Sequence, residues 1–122
     1  MKKLNIFQRN CLVIGTHLAM EKPAFANDLR SFVVIGAYMQ TSRGPAKASN
    51  ILNKGEENLR FWLRAYEVHK YDIDKYLTDS DLVNSIYIDQ IQSIEQLEKE
   101  LEKYVPDLAL MQVTWKVENP LP

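Results

Sequence analysis

The sequence predicts an α+β fold in which three to four N-terminal helices precede a β-α-β unit with a small sheet. Through most of residues 1–80, apolar residues recur at intervals of three and four, which is the helical period. Over residues 82–118, two strand-like stretches flank one amphipathic segment. The chain has 122 residues, of which 46% are hydrophobic and 25% are charged. That size and composition predict one globular domain covering residues 1–122.

Two helices are predicted before residue 40. The first runs from about Asn5 to Met20, and the second has Pro23 in its first turn. The apolar residues that share a face in the first helix are Leu4, Phe7, Cys11, Ile14 and Leu18. Those of the second are Phe25, Leu29, Phe32, Gly36 and Met39. The run Phe32 to Ala37 also fits a buried strand, but the longer spacing favours a helix.

A loop with a Gly44-Pro45 break separates these helices from a third one. The third helix is predicted to begin near Lys54 to Glu56 and to extend to about Tyr76. Its apolar residues leave open whether residues 54–77 form one long helix or two helices joined near residues 70–72.

The last third of the chain changes its period. Residues 85–91 alternate between polar and apolar side chains, which predicts a strand. Ser93 and Gln96 have the spacing of a capping box at the start of a helix. Pro106 ends that helix, and Leu108 to Val117 is predicted to form the second strand.

The sequence contains no recognisable catalytic or cofactor motif. The four glycines are scattered, so no phosphate-binding loop is present, and Cys11, His17 and His69 are not spaced as zinc ligands. A calcium loop starting at Asp79 would need a glycine and a glutamate where Asn84 and Gln90 stand. We therefore expect no enzyme activity, no cofactor and no metal site.

The N-terminus only partly resembles a secretory signal. Lys2 and Lys3 precede a short apolar run, but polar and charged residues interrupt it before the small residues at 24 and 26. A single cysteine cannot form an internal disulfide, and no apolar run reaches the length of a membrane helix. A cytoplasmic protein without a membrane partner is expected.

Charge is distributed unevenly along the chain, although the formal net charge is only −1. Residues 1–71 carry eleven basic and five acidic side chains, a net charge of +6, and residues 72–107 carry ten acidic and three basic ones, a net charge of −7. The two blocks can neutralise each other within the fold, or the acidic block can form a surface for a basic partner.

The aromatic residues between 61 and 76 support two interpretations. They can form a core with a polar rim, or they can stack on bases beside basic side chains. The basic residues that would contact nucleic acid are Arg43, Lys47, Lys54, Arg60 and Arg64. A small regulatory or phage-type nucleic-acid-binding protein is therefore the alternative function, although the low overall basicity disfavours it.

The chain resembles the small bacterial immunity proteins of polymorphic and contact-dependent growth inhibition toxin systems. The resemblance rests on its size, on the acidic stretch Asp72 to Asp107, and on the layout from Ser85-Ile-Tyr-Ile through Ser93-Ile-Glu-Gln-Leu-Glu to Pro120. It implies binding to a toxin domain, typically a nuclease, and occlusion of its basic active-site face. The residues expected to contact the toxin are Tyr71, Asp72, Asp74, Tyr76, Asp79 and Asp81. The sequence does not predict the oligomeric state.

Overall fold

The computed structural model describes residues 3–22, 28–41, 44–47, 59–69, 83–105 and 107–113. In these ranges the chain forms a six-stranded sheet with two α-helices on one face. The helices are α1 (Ile6–Val13) and α2 (Ile94–Leu101), and a 3₁₀ helix spans Leu108–Leu110. The strands are β1 (Leu18–Lys22), β2 (Leu29–Thr41), β3 (Gly44–Lys47), β4 (Leu59–His69), β5 (Val83–Ile91) and β6 (Gln112–Val113). The predicted class of three to four N-terminal helices before a β-α-β unit is therefore wrong.

The long strands β2 and β4 form the centre of the sheet. They pair antiparallel along their length, from Leu29 opposite His69 to Met39 opposite Leu59. The strand order is β5-β4-β2-β1-β6, and β3 pairs with the end of β2. All described pairings are antiparallel. This arrangement creates two sheet faces, one covered by helices and one opposite to them.

Strands replace the second and third predicted helices wherever these fall within the described residues. In β4, residues 59, 61, 63 and 65 are buried towards the helices, and the residues between them lie on the other face. Leu59 and Leu63 are four residues apart, so they share a face in a helix and equally in a strand. The apolar spacing that predicted a helix was therefore compatible with both structures. The β-branched and aromatic residues of β2 favour the extended form.

The first helix is much shorter than predicted. Asn5 caps α1 and forms a capping box with Gln8, as each side chain accepts a hydrogen bond from the other's backbone N–H. The helix ends at Val13, and Gly15 follows with a φ of +91°, a left-handed conformation that glycine adopts readily. The chain then enters β1, where the helix had been expected to continue to Met20.

The predicted Ser93 cap of the last helix is confirmed, but the full capping box is not, since the Gln96 side chain accepts a hydrogen bond from the Gln92 N–H and not from the Ser93 N–H. The Ser93 hydroxyl accepts a hydrogen bond from the Gln96 N–H at 3.1 Å, and α2 follows directly. The strand predicted after it begins too early, since residues 108–110 form the 3₁₀ helix and β6 starts only at Gln112. Residues 114–117 of that prediction lie outside the described residues. Although α2 lies between β5 and β6 in the sequence, these strands are at opposite ends of the strand order.

The main core lies between the helices and the sheet. Leu12 of α1 and Leu97 and Leu101 of α2 are fully buried in it. Two buried polar side chains, those of Gln8 and Glu98, connect residues near the N-terminus to residues 98–111 across this layer. The Gln8 amide donates hydrogen bonds to the Leu108 and Met111 carbonyl oxygens at 2.8 and 2.9 Å, and the Leu4 N–H donates to Glu98 at 2.6 Å. These bonds fix α1 against the C-terminal part of the core.

Candidate interaction surface

The six residues predicted to contact a toxin lie between β4 and β5, outside the described residues. They are Tyr71, Asp72, Asp74, Tyr76, Asp79 and Asp81. Arg43 and Lys54 of the nucleic-acid alternative also lie outside, and Lys47 is placed only as a position in β3. Arg60 and Arg64 are described, and both lie on β4.

Arg60 and Arg64 occupy the sheet face opposite to the helices. Alternation along β4 places Trp62 between them on that face, where all three side chains are half-buried. Tyr38 of β2 and Tyr87 of β5 are registered opposite Arg60 and Arg64, respectively. The strand geometry thus brings aromatic and basic side chains together from three neighbouring strands.

Four side chains form what we call the aromatic surface: His17, Tyr38, Trp62 and Tyr87. The Trp62 and Tyr87 rings stack with their centroids 6.2 Å apart and their planes 30° apart. His17 meets Trp62 edge-on at a centroid distance of 4.9 Å. Tyr87 is 58% exposed. The indole is therefore held between two rings, and Tyr87 presents the most accessible part of the surface.

Gly36 allows the indole to lie close to the sheet. It is registered opposite Trp62, and a Cβ atom at this position would lie 2.5 Å from Trp62 Cζ2 and 2.8 Å from His17 Cδ2. Neither approach is compatible with normal van der Waals contact. The absence of a side chain at Gly36 is thus a condition for the observed packing of Trp62 and His17.

A hydrogen-bond network of Tyr38, Asp89 and Gln90 lies at one edge of the aromatic surface. The Tyr38 hydroxyl donates to Asp89 Oδ1 at 2.9 Å and accepts a bond from the Gln90 side-chain amide at 2.8 Å. The Gln90 N–H donates to the same Asp89 oxygen at 2.7 Å. Gln90 has a φ of +59° and lies in a β-bulge, where β5 has one residue more than β4. The bulge brings Asp89 and Gln90 to the same hydroxyl group.

The titratable groups of this surface are shifted towards their neutral forms. Burial raises the pKa of Tyr38 to about 12, and the hydrogen bond to Asp89 and the charge of Asp89 act in the same direction. Burial and the same carboxylate also raise the pKa of Tyr87, and burial lowers the pKa of His17. At neutral pH the surface therefore offers neutral rings and phenolic hydroxyls, which suit contact and hydrogen bonding.

A second buried cluster lies next to the aromatic surface on the same sheet face. Phe32 and Tyr66 stack there with ring centroids 5.7 Å apart, and both are almost completely buried. Trp62 packs against this cluster. The aromatic surface is therefore continuous with a buried apolar layer, which restricts the motion of its central ring.

The described residues contain no group of three or more His, Cys, Asp or Glu side chains arranged to hold a metal ion. Cys11 is on the inward side of α1, buried in the main core, whereas His17 contacts Trp62 on the other sheet face. Within the same ranges, no helix is sufficiently long and apolar to cross a membrane.

Sequence reasoning did not identify the aromatic surface. Trp62 was assigned to an aromatic cluster on a helix, and Tyr38, Tyr87 and Asp89 were not proposed as partners. The available signal was the alternation of Arg60, Trp62 and Arg64, which in a strand share one face. The pairing of β4 with β5 joins residues far apart in sequence, so the sequence alone did not indicate the contact with Tyr87.

Comparisons with known proteins add no assignment. No protein-family model, no curated protein and no solved structure matches this chain.

Proposed function

We propose that this chain is a protein-binding inhibitor that neutralises a bacterial toxin domain, and that the aromatic surface forms part of its contact region. The exposed, stacked position of Tyr87 is the observation that carries this proposal. The few residues that supply most of the binding energy in a protein interface are enriched in tyrosine, tryptophan and arginine. Here all three occur on one sheet face.

The aromatic surface is ordered before any partner binds. Trp62 is enclosed by Gly36, His17 and Tyr87, and the Asp89 network holds Tyr38. Rigid aromatic side chains lose little conformational entropy on association, so such a surface favours affinity. This property is the one required of a dedicated inhibitor.

Two features favour a protein partner over nucleic acid. The Asp89 carboxylate borders the aromatic surface at the Tyr38 hydroxyl and repels phosphate groups there. The Trp62 ring is already in contact with Tyr87 and His17, so it is less available for stacking with a base. The toxin as partner is supported by the resemblance to immunity proteins and by the acidic block of residues 72–107. The role of its residues 71–81 stays a prediction.

The test uses the product of the reading frame directly upstream of this gene. We expect that product to inhibit bacterial growth when expressed alone and this chain to restore growth when co-expressed. Tyr87→Ala should raise the Kd for the purified product about tenfold or more, because it removes an exposed aromatic anchor. Leu110→Ala is the matched control, since Leu110 is 47% exposed but is not part of the aromatic surface.

An unchanged Kd for Tyr87→Ala would exclude the aromatic surface as the contact region. An upstream product that neither inhibits growth nor binds this chain would contradict toxin inhibition. A gel shift with mixed DNA and RNA, lost in an Arg60→Gln, Arg64→Gln variant, would replace the proposal with the nucleic-acid alternative.

A further inference from the structure

The outward face of α1 is unusually apolar. Ile6, Phe7 and Ile14 are 77%, 63% and 62% exposed, whereas Cys11 and Leu12 on the inward side are buried. Clusters of exposed large apolar side chains on soluble proteins mark interaction sites. We call these three residues the α1 surface. It lies on the helical side of the sheet, away from Tyr87.

A groove of about 430 Å³ adjoins the α1 surface. It runs between α1 and the beginning of α2, and its apolar walls include Val13, Phe61 and Ile94. Arg9 on one side and Glu95 on the other give it one positive and one negative charge. The groove is therefore lined by apolar side chains together with one positive and one negative side chain.

We propose that the α1 surface and this groove form a twofold dimer interface with a second copy of the chain. In a twofold interface the same patch is supplied by both copies, so Arg9 of each copy can face Glu95 of the other. Glu95 is exposed and forms no ion pair in the described part of the chain. Arg9 forms an ion pair with the buried Glu98 at 3.6 Å, but its side chain is still 42% exposed and accessible to a second carboxylate. A patch that contains both charges is complementary to itself.

The composition of the patch also favours a second copy. Homodimer interfaces are more apolar than interfaces between proteins that associate transiently. Ile6, Phe7 and Ile14 provide that character without a net charge that would select a charged partner. The dimer is independent of the proposed function, because α1 and the aromatic surface are on opposite sides of the sheet.

The test is the molar mass in solution, measured by size-exclusion chromatography with light scattering and by sedimentation equilibrium. The wild-type chain should be a dimer that dissociates on dilution. Phe7→Glu should raise the dimer Kd at least about tenfold, because it places a charge in the apolar centre of the interface. Leu110→Glu is the control and should leave the Kd unchanged, since Leu110 has similar exposure outside the α1 surface.

The charge pairing has its own variant. Glu95→Lys should raise the dimer Kd about fivefold at low salt, because it places a lysine opposite Arg9 of the second copy, and added salt should reduce the effect. Circular dichroism and thermal unfolding establish that each variant is folded. A wild-type chain that stays monomeric at high micromolar concentration overturns the proposal. So does a dimer that Phe7→Glu leaves intact.

Discussion

At the scale of single residues, Gly36 has the most stringent role in the aromatic surface. Its position opposite Trp62 leaves space for the indole only because there is no Cβ atom. Its φ is not in the left-handed region, so the requirement is steric and does not arise from the backbone conformation. Side-chain volume at residue 36 therefore controls whether Trp62 and His17 can pack as observed.

Gly36→Ala should lower the free energy of unfolding by about 1–3 kcal/mol, because the new methyl group displaces the Trp62 ring. Chemical denaturation measures this change. In a Trp62→Leu background the same substitution should be less destabilising, since the smaller side chain can move aside. Equal destabilisation in both backgrounds would show that the contact with the indole is not the cause.

At the scale of elements, the sequence predicted the start of α2, which depends on local contacts. It did not predict which residues share a face in β4, because that depends on whether the segment is a helix or a strand. Ser93 marks the start of α2 because a serine N-cap needs only a backbone N–H three residues further on, here that of Gln96. The spacing of Leu59 and Leu63 fits both helix and strand, so it could not exclude a helix in the region that forms β4. The aromatic surface was missed for the same reason, as it exists only once β4 is extended.

The attachment of α1 to the C-terminal segment depends on one side chain. Gln8 is 2% exposed, and its amide nitrogen donates to the carbonyl oxygens of Leu108, the first residue of the 3₁₀ helix, and Met111, which follows its last residue. The oxygen of the same amide group accepts the capping-box hydrogen bond from the Asn5 N–H. Gln8 thus joins two elements about 100 residues apart in the chain.

Gln8→Ala should lower the free energy of unfolding by about 1–3 kcal/mol, because the Met111 carbonyl loses its Gln8 donor and the Leu108 carbonyl keeps only the Met111 N–H. Gln8→Glu is a stringent companion variant, since glutamate preserves the capping-box acceptor but its carboxylate cannot donate to Leu108 and Met111. Urea denaturation and hydrogen exchange at residues 108–113 measure both effects. If Gln8→Glu is as stable as the wild type, the connection to the C-terminal segment is not energetically important.

At the scale of the whole molecule, the two charge blocks meet in at least one buried place. Glu98 of the acidic block is 1% exposed, accepts a hydrogen bond from the Leu4 N–H, and lies 3.6 Å from Arg9 of the basic block. Asp89 is likewise engaged with Tyr38. Glu98 and Asp89 therefore make contacts within the fold. Only the other carboxylates of the acidic block can contribute to binding a basic partner.

The stability of the whole molecule should depend on pH through His17. Burial lowers the pKa of His17 from its ordinary 6.5. As the pH falls towards and below 6.5, His17 is therefore protonated to a greater extent in the unfolded chain than in the folded chain. The free energy of unfolding should therefore decrease as the pH falls from 7.5 to 5.5. The slope should be smaller than the limit of about 1.4 kcal/mol per pH unit, because His17 is only half-buried.

His17→Phe separates this contribution from that of the carboxylates, since phenylalanine can retain the edge-on contact with Trp62 but does not titrate. Urea denaturation at several pH values should give a shallower pH dependence for the variant than for the wild type between pH 7.5 and 5.5. Identical slopes would mean that His17 binds protons equally in both states. A shallower slope for the variant would instead establish that the folded chain stabilises neutral His17. Protonation of His17 at low pH would then destabilise its packing against Trp62.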